Sequence, residues 1–292
     1  MNPASQEKFY RWRPAACLRI SGEDSLTFLQ GQFTNDLQQG KSDGATYGLW
    51  LNQKGKVLAD SFVRKISARE AWIVSYFSTA AVIRERLEAY IIADDVMIED
   101  ATGSMAGLTL TGTVAPADLG LSSAAWAFRG RRMHETHTEI IFPLGEGLAV
   151  NAKLAGSAVL SADEMERMRI AAGIPAVPAD IGPTDLPNEG GLETEAISYT
   201  KGCYLGQEVM ARLKSMGQVR RRLVRVRGGG EPPPRSAALF QGARKAGELR
   251  SAERDGADWV GLALVSLVQL KREAGLALAP DGAPTISFSD AS

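Results

Sequence analysis

Leu26, Leu29, Phe33 and Leu37 recur at spacings of three and four, which predicts a docking helix over residues 23–37, opening after Ser21 and Gly22. Runs of β-type residues predict strands at 47–51, 57–66 and 72–76. A second helix is expected over 79–92, with Val82, Ile83, Leu87, Tyr90 and Ile91 on its apolar side. Short apolar stretches at 96–98, 108–111, 126–128, 140–142 and 148–150 read as further strands. Ser161 and Glu164 have capping-box spacing, so a helix is expected over 162–172, stopped by Gly173. Strands mixed with single helices, without strict alternation, favour α+β over a doubly wound parallel sheet.

The pattern then breaks. Pro175, Pro178, Pro183 and Pro187 forbid continuous helix or central strand, so an irregular loop is expected across this stretch. A helix is expected over 207–213 and a strand over 219–227, followed by GGGEPPP at 228–234, which reads as a linker or sharp turn. Beyond it only short strand-like pieces remain, at 238–241, 245–250, 259–265 and 276–278. Their spacing predicts a small antiparallel barrel or sandwich.

Length and composition fit this picture. The 292 residues suggest about two domains, with three small ones allowed, and 45% hydrophobic against 23% charged residues excludes a disordered or disulfide-dominated chain. A net charge of -1 argues against a surface that grips nucleic acid all round. Cys17 and Cys203 cannot make a disulfide framework and read as separate thiols in a reducing compartment. The first residues lack a secretory apolar stretch, and the most apolar segment, 260–268, is far short of a membrane span, so a cytoplasmic protein without a membrane partner is expected.

Local charge is less even. Between Arg169 and Lys201 lie Asp180, Asp185, Glu189, Glu193 and Glu195 without a cation. Residues 209–230 then carry Arg212, Lys214, Arg220, Arg221, Arg222, Arg225 and Arg227 without an acid. The two stretches either pair with each other or the cations line a pocket for an anionic ligand. Nucleic acid is disfavoured because the basic stretch has no aromatic stacking platform. At their junction stands KGCYLGQE, residues 201–208. Gly202 and Gly206 allow a tight turn, and Cys203 falls just before a helix N-terminus with Lys201 near by, a setting that favours thiolate; the alternative is a small buried residue in a turn.

This segment, followed by Arg212, Gly217-Gln218-Val219 and Arg221-Arg222-Leu223, resembles the hallmark of the YgfZ family, tetrahydrofolate-binding proteins related to the glycine-cleavage T-protein. FLQGQFTND at 28–36, LNQKGKVLAD at 51–60 and the segment from Arg169 to Glu189 resemble three further family blocks in the same order. The resemblance implies three lobes in a ring around a central folate hollow, with a C-terminal antiparallel β-barrel. The corresponding divisions are 1–105, a folate-binding α+β part; 106–217, a second α+β lobe ending in the cysteine segment; and 218–292, the barrel. It also implies tetrahydrofolate, or a one-carbon derivative, as cofactor and iron-sulfur client or assembly proteins as partners. Cys203, Lys201 and Asp60 become the candidate catalytic residues. Asn35, Trp50, Asn52, Gly55, Glu189, Tyr204, Gln207, Glu208 and Arg212 become the candidate cofactor-binding residues. One departure concerns activity: T-protein-type aminomethyltransferases usually carry two adjacent acids where this chain has Ala59 and Asp60, and relatives tend to have Glu where it has Ala171 or Ala172.

Other patterns carry less. Gly40-Lys41-Ser42 lacks the first Gly of a phosphate-binding loop, and His134 with His137, expected in a solvated hairpin or loop, lack the further ligands of a zinc site. The expected function is that of a folate-binding accessory protein for iron-sulfur cluster assembly or maintenance. A one-carbon transferase or demethylase and a cofactor-free docking scaffold are the rivals.

Overall fold

The computed structural model describes residues 8–38, 44–217 and 219–289. Gly40-Lys41-Ser42 and Gln218, both singled out from sequence, lie outside these residues. The chain begins with β1 (Lys8–Trp12), β2 (Ala16–Ser21), α1 (Ser25–Gln32), β3 (Thr46–Leu51), β4 (Val57–Lys65), β5 (Glu70–Ser75), α2 (Ala80–Glu88) and β6 (Met97–Asp100). It continues through β7 (Met105–Thr111), β8 (Trp126–Arg129), β9 (His137–Pro143), α3 (Gly147–Lys153), β10 (Ala158–Val159) and α4 (Ala162–Ala171). After the proline-rich loop come α5 (Glu193–Ala196), α6 (Gln207–Met216), β11 (Arg221–Gly229), β12 (Ala238–Gln241), β13 (Arg244–Asp255), β14 (Asp258–Ser266) and β15 (Ile286–Phe288).

These strands make three five-stranded sheets, ordered β3-β4-β5-β2-β6, β10-β1-β7-β9-β8 and β12-β13-β14-β11-β15. Pairing is antiparallel throughout except between β1 and β10. The third sheet curls: single bridges Phe240 to Ala277 and Leu276 to Ile286 tie its two edge strands, β12 and β15, through the 276–277 segment. The α+β class and the C-terminal curled antiparallel sheet are therefore as the sequence led one to expect. Sheet membership does not follow chain order, since β1 crosses to the second sheet.

Each sheet has its own core. Leu29, Phe33 and Leu37 from the α1 segment and Ile83 and Leu87 from α2 pack with Trp50, Ala59 and Ile73 on the first sheet. Val226, Leu239 and Trp259 fill the curled sheet, where a Cβ on Gly228 would come within 2.6 Å of the Trp259 indole. A further cluster joins all three: Tyr47 and Phe62, Trp12 and Trp126, and Leu264 meet Val177, Tyr204 and Met210. At about 25 cal/mol per Å² of apolar surface, this shared cluster is what fixes the sheets against one another.

Some expectations need correction. Residues 148–150 are helical: Val150 and Leu154, four apart, face the core while Leu148 is 83% exposed, a 3.6-residue period too short to see in three residues. The first helix ends at Gln32, although Phe33 and Leu37 are still buried. Val82 points outward. Gly228 and Gly229 belong to β11, because the close approach of Trp259 needs a residue without a side chain there. The 276–278 piece forms bridges only. His137 is buried at the start of β9, its Nδ1 bonded to the Glu135 carbonyl (2.8 Å) and its Nε2 accepting from the Arg132 N–H (3.2 Å), so the solvent exposure expected of that hairpin or loop does not hold at this residue. Among the described residues no helix is long and apolar enough to cross a membrane.

Candidate functional site: a braced cysteine loop beside a charged hollow

Residues 197–206 connect α5 to α6 as a loop without regular structure, and Cys203 is exposed on it. Backbone and amide bonds hold that loop to the α1 segment. The Ser198 N–H donates to the Thr34 carbonyl (3.0 Å) and the Leu205 N–H to the Gly31 carbonyl (3.2 Å). Thr34 Oγ1 donates to the Ala196 carbonyl (2.6 Å), and Asn35 Nδ2 donates to the carbonyls of Glu195 (2.9 Å) and Tyr47 (2.8 Å). Tyr204 is buried in the shared core.

The 51–60 block closes the other side. Asn52 Oδ1 accepts from the N–H groups of Lys54 (2.9 Å) and Lys56 (3.0 Å), shaping a turn in which Gly55 takes φ +70° against Val209 and Met210 of α6. Gly206, at φ +87°, lies so close to Leu51 and Asn52 that a Cβ would meet the Asn52 carbonyl at 3.1 Å. Two sequence blocks far from it in the chain thus converge on this loop, and Asn35, Asn52 and Gly55 are committed to building it. Gln207 opens α6 and donates its N–H to the Tyr204 carbonyl (3.1 Å), while Glu208 and Arg212 are exposed one turn apart on that helix, 3.6 Å from each other.

Lys201 does not act as sequence suggested. Its Nζ donates to the carbonyls of Gln30 (2.6 Å), Phe33 (2.6 Å) and Asn35 (3.1 Å), with the Tyr204 ring 5.1 Å away. The ammonium is therefore spent on backbone, and burial pushes its pKa down to about 8 against the opposing pull of Asp36. The second thiol contrasts with the first: Cys17 is fully buried in β2, and burial, helped by Asp100, pushes it up to about 12.

A separate cavity of about 390 Å³ opens between the sheets, lined among others by Tyr47, Phe62, Arg129, Arg131, His134 and Glu195. A polar chain runs from its rim into the core. Arg131 Nε donates to Glu195 (2.6 Å) and Arg131 Nη1 to the Tyr47 hydroxyl (3.2 Å); that hydroxyl donates to Asp60 (3.0 Å). Asp60 also accepts from the hydroxyls of Ser75 (3.1 Å) and Ser78 (3.0 Å). Its burial raises the pKa, opposed by bonds from Ser78 and Tyr47 and by the Arg131 charge. Burial also lifts the Tyr47 phenol well above its ordinary value, with Arg131 opposing.

None of the nine candidate cofactor-binding residues lines this cavity, and Asp60 communicates with it through Tyr47. Trp50 is fully buried, its Nε1 bonded to Ser61 (2.9 Å) and its ring packed on Phe33, so it offers a ligand no face and is core. Glu189 is buried too, taking Arg221 Nε (2.8 Å) and the Leu186 N–H (2.7 Å). The opposed charge stretches pair in this way: Arg221 also meets Asp185 (3.0 Å) and Arg222 meets Glu193 (3.5 Å), joining the proline-rich loop to β11. Tyr47 and Arg131 went unassigned from sequence because a lone Tyr in a strand and a lone Arg in a polar segment make no pattern. Glu195 was visible only as one of five acids.

A family model described as the GCVT N-terminal domain matches residues 14–124, and one described as the CAF17 C-terminal beta-barrel domain matches residues 220–288. The chain is 24% identical to the tRNA-modifying protein YgfZ of Sodalis glossinidius, over 84% of this chain and 81% of that one. It is 28% identical to the mitochondrial iron-sulfur cluster assembly factor IBA57 of Homo sapiens, over 92% of this chain and 83% of that one. The glycine cleavage system aminomethyltransferase T from Bartonella henselae superposes with a TM-score of 0.77 at 18% identity, covering 93% of this chain and 81% of that structure, a likeness of fold. The chain thus carries a GCVT-like N-terminal domain and a CAF17-type C-terminal barrel domain, and along most of its length it is similar to proteins named YgfZ and IBA57.

Proposed function

We propose that this protein is a tetrahydrofolate-binding accessory factor for iron-sulfur cluster assembly or maintenance, with Cys203 as its working thiol. The observation that carries the reading is the exposed Cys203 on a loop that two separated sequence blocks hold in place. A thiol needed only for packing would be buried, as Cys17 is. The assembly-factor name of one set of relatives and the tRNA-modifying name of another support a maturation role, and the pairing of most basic-stretch arginines with acids speaks against a broad nucleic-acid face. Two free thiols suit a reducing compartment, the cytoplasm expected from sequence.

The hollow fits the folate. Its volume of about 390 Å³ lies in the range of roughly 300–1,000 Å³ usual for small-molecule pockets. Arg129 and Arg131 supply cations for a carboxylate tail, Glu135 and Glu195 supply acceptors for ring N–H groups, and the edges of Tyr47 and Phe62 supply an aromatic wall. When bound, the folate would supply a one-carbon carrier. Arg131 orients Tyr47, and Tyr47 holds its proton toward Asp60, so the chain presents a hydroxyl and a guanidinium at fixed positions beside the ring.

Asp60 keeps the one-carbon transferase reading in view, because a buried carboxyl with a raised pKa can serve as acid or base. The cofactor-free scaffold would give no heat with tetrahydrofolate. To test the main reading, the gene is deleted and complemented with wild type or with Cys203→Ala, and the activities of iron-sulfur enzymes are followed under oxidative stress. Loss of those activities, restored by wild type and not by the variant, is expected. Full activity in the deletion strain would overturn the assembly role, and turnover of a methylamine donor would favour the transferase.

A further inference from the structure

Lys201 stands out in the loop. It is 8% exposed, yet its ammonium donates to three backbone carbonyls and has no carboxylate within ion-pair distance among the described residues. The final carbonyls of a helix have no intrahelical partners, and a cation there is favoured both by those oxygens and by the helix dipole. Gln30 lies in the last turn of α1, and Phe33 and Asn35 lie just past it, so one ammonium from 171 residues away satisfies the end of this helix. Lys201 lies between Ser198 and Leu205, whose N–H groups bond to Thr34 and Gly31 of the same segment. Moving Lys201 out would strip both.

We propose that Lys201 is a latch: by capping the C-terminal carbonyls of α1 it holds the Cys203 loop in the position that presents the thiol, and the loop opens when the ammonium moves into water. Lys201 is thus a positioning residue, not the activator of the thiol. Its latched state is in tension. Facing Nζ are the three carbonyls, the Asp36 carboxylate and the Tyr204 ring, and burial outweighs Asp36, holding the pKa at about 8 where a lysine in an open loop would titrate at 10.5. Between those values the open form binds the more protons, so rising pH tightens the latch and falling pH through about 8 loosens it. At neutral pH the latch carries its full desolvation penalty, which poises it for opening.

The meaning of the latch for chemistry rests on Cys203 being the working thiol, but its test does not. Hydrogen exchange at the Ser198 and Leu205 amides, expressed as protection factors corrected for intrinsic rates, is compared in wild type, Lys201→Met and Lys201→Arg from about pH 7 to about pH 9. In wild type, protection at both amides should rise on the order of tenfold across this range. Lys201→Met should be flat with pH, about tenfold less protected than wild type at pH 7 and on the order of a hundredfold less at pH 9. Lys201→Arg, whose guanidinium can reach the same carbonyls and does not titrate, should stay protected and also be flat. Wild-type protection that does not change with pH, or full protection in Lys201→Met, would overturn the latch. If Lys201→Met fails to fold, the wild-type pH series against Lys201→Arg still decides. Folate and cluster readouts do not enter, so failure here leaves the functional reading standing.

Discussion

The cysteine loop and the charged hollow are built by opposite means. The loop is held by backbone carbonyls and amides, two positive-φ glycines and one lysine, and leaves the Cys203 thiol exposed. The hollow is organised by side-chain charge, with Glu195, Arg131, Tyr47 and Asp60 bonded in series and the carboxylate of Asp60 at the buried end. A backbone-braced loop can change shape by breaking a few bonds of about 1 kcal/mol each, whereas a buried polar series loses more when any member is removed. One region therefore suits a part that moves, and the other a part that stays.

That contrast can be broken by substitution. The largest effect should come from Asp60→Ala, which strands the donors of Tyr47, Ser75 and Ser78 in the core; about 3 kcal/mol of unfolding free energy should be lost, measured by denaturant titration, with Cys203 alkylation in the native state unchanged. A stability loss below about 1 kcal/mol would mean that Asp60 is not the anchor of the series. The thiols offer a smaller effect. Cys17 is held near 12 in the fold against 9.0 unfolded, so its contribution to stability is complete below pH 9 and is lost as pH rises toward 12. By pH 10 the wild type should have lost about 1 kcal/mol relative to Cys17→Ala, each protein referenced to its own value at neutral pH. Equal pH slopes would contradict the buried neutral thiol. The smallest effect concerns labelling: native protein should take up one equivalent of thiol reagent, Cys17→Ala still one, and Cys203→Ala almost none.

How far these regions were legible in sequence depends on what builds them. The loop was legible because glycines at fixed spacing are the residues that tight backbone approach requires, and KGCYLGQE shows two of them flanking the cysteine, with a lysine, in one string. What could not be read was their duty: Asn35 and Lys201 bond to backbone at distant points, and no local spacing reveals a carbonyl that arrives from 171 residues away. The hollow was nearly invisible, since Tyr47, Arg131 and Glu195 come from a strand, a loop and a short helix and meet only in the fold. Trp50 misled because it adjoins a matching block, while strand alternation turns its ring toward α1 and the core. The α+β class came from periodicity. Strands β1 and β2, which complete two of the sheets, were missed because their polar and apolar residues do not form a clean run.

In the function proposed above, folate and thiol occupy different parts of one frame. Calorimetric titration of tetrahydrofolate into wild type, Cys203→Ala and Arg131→Met tests it most directly. Wild-type affinity is expected in Cys203→Ala and a loss of about tenfold or more in Arg131→Met, which removes the cation that orients Tyr47 in the hollow. Unchanged binding in Arg131→Met together with lost binding in Cys203→Ala would put the folate at the loop and contradict it.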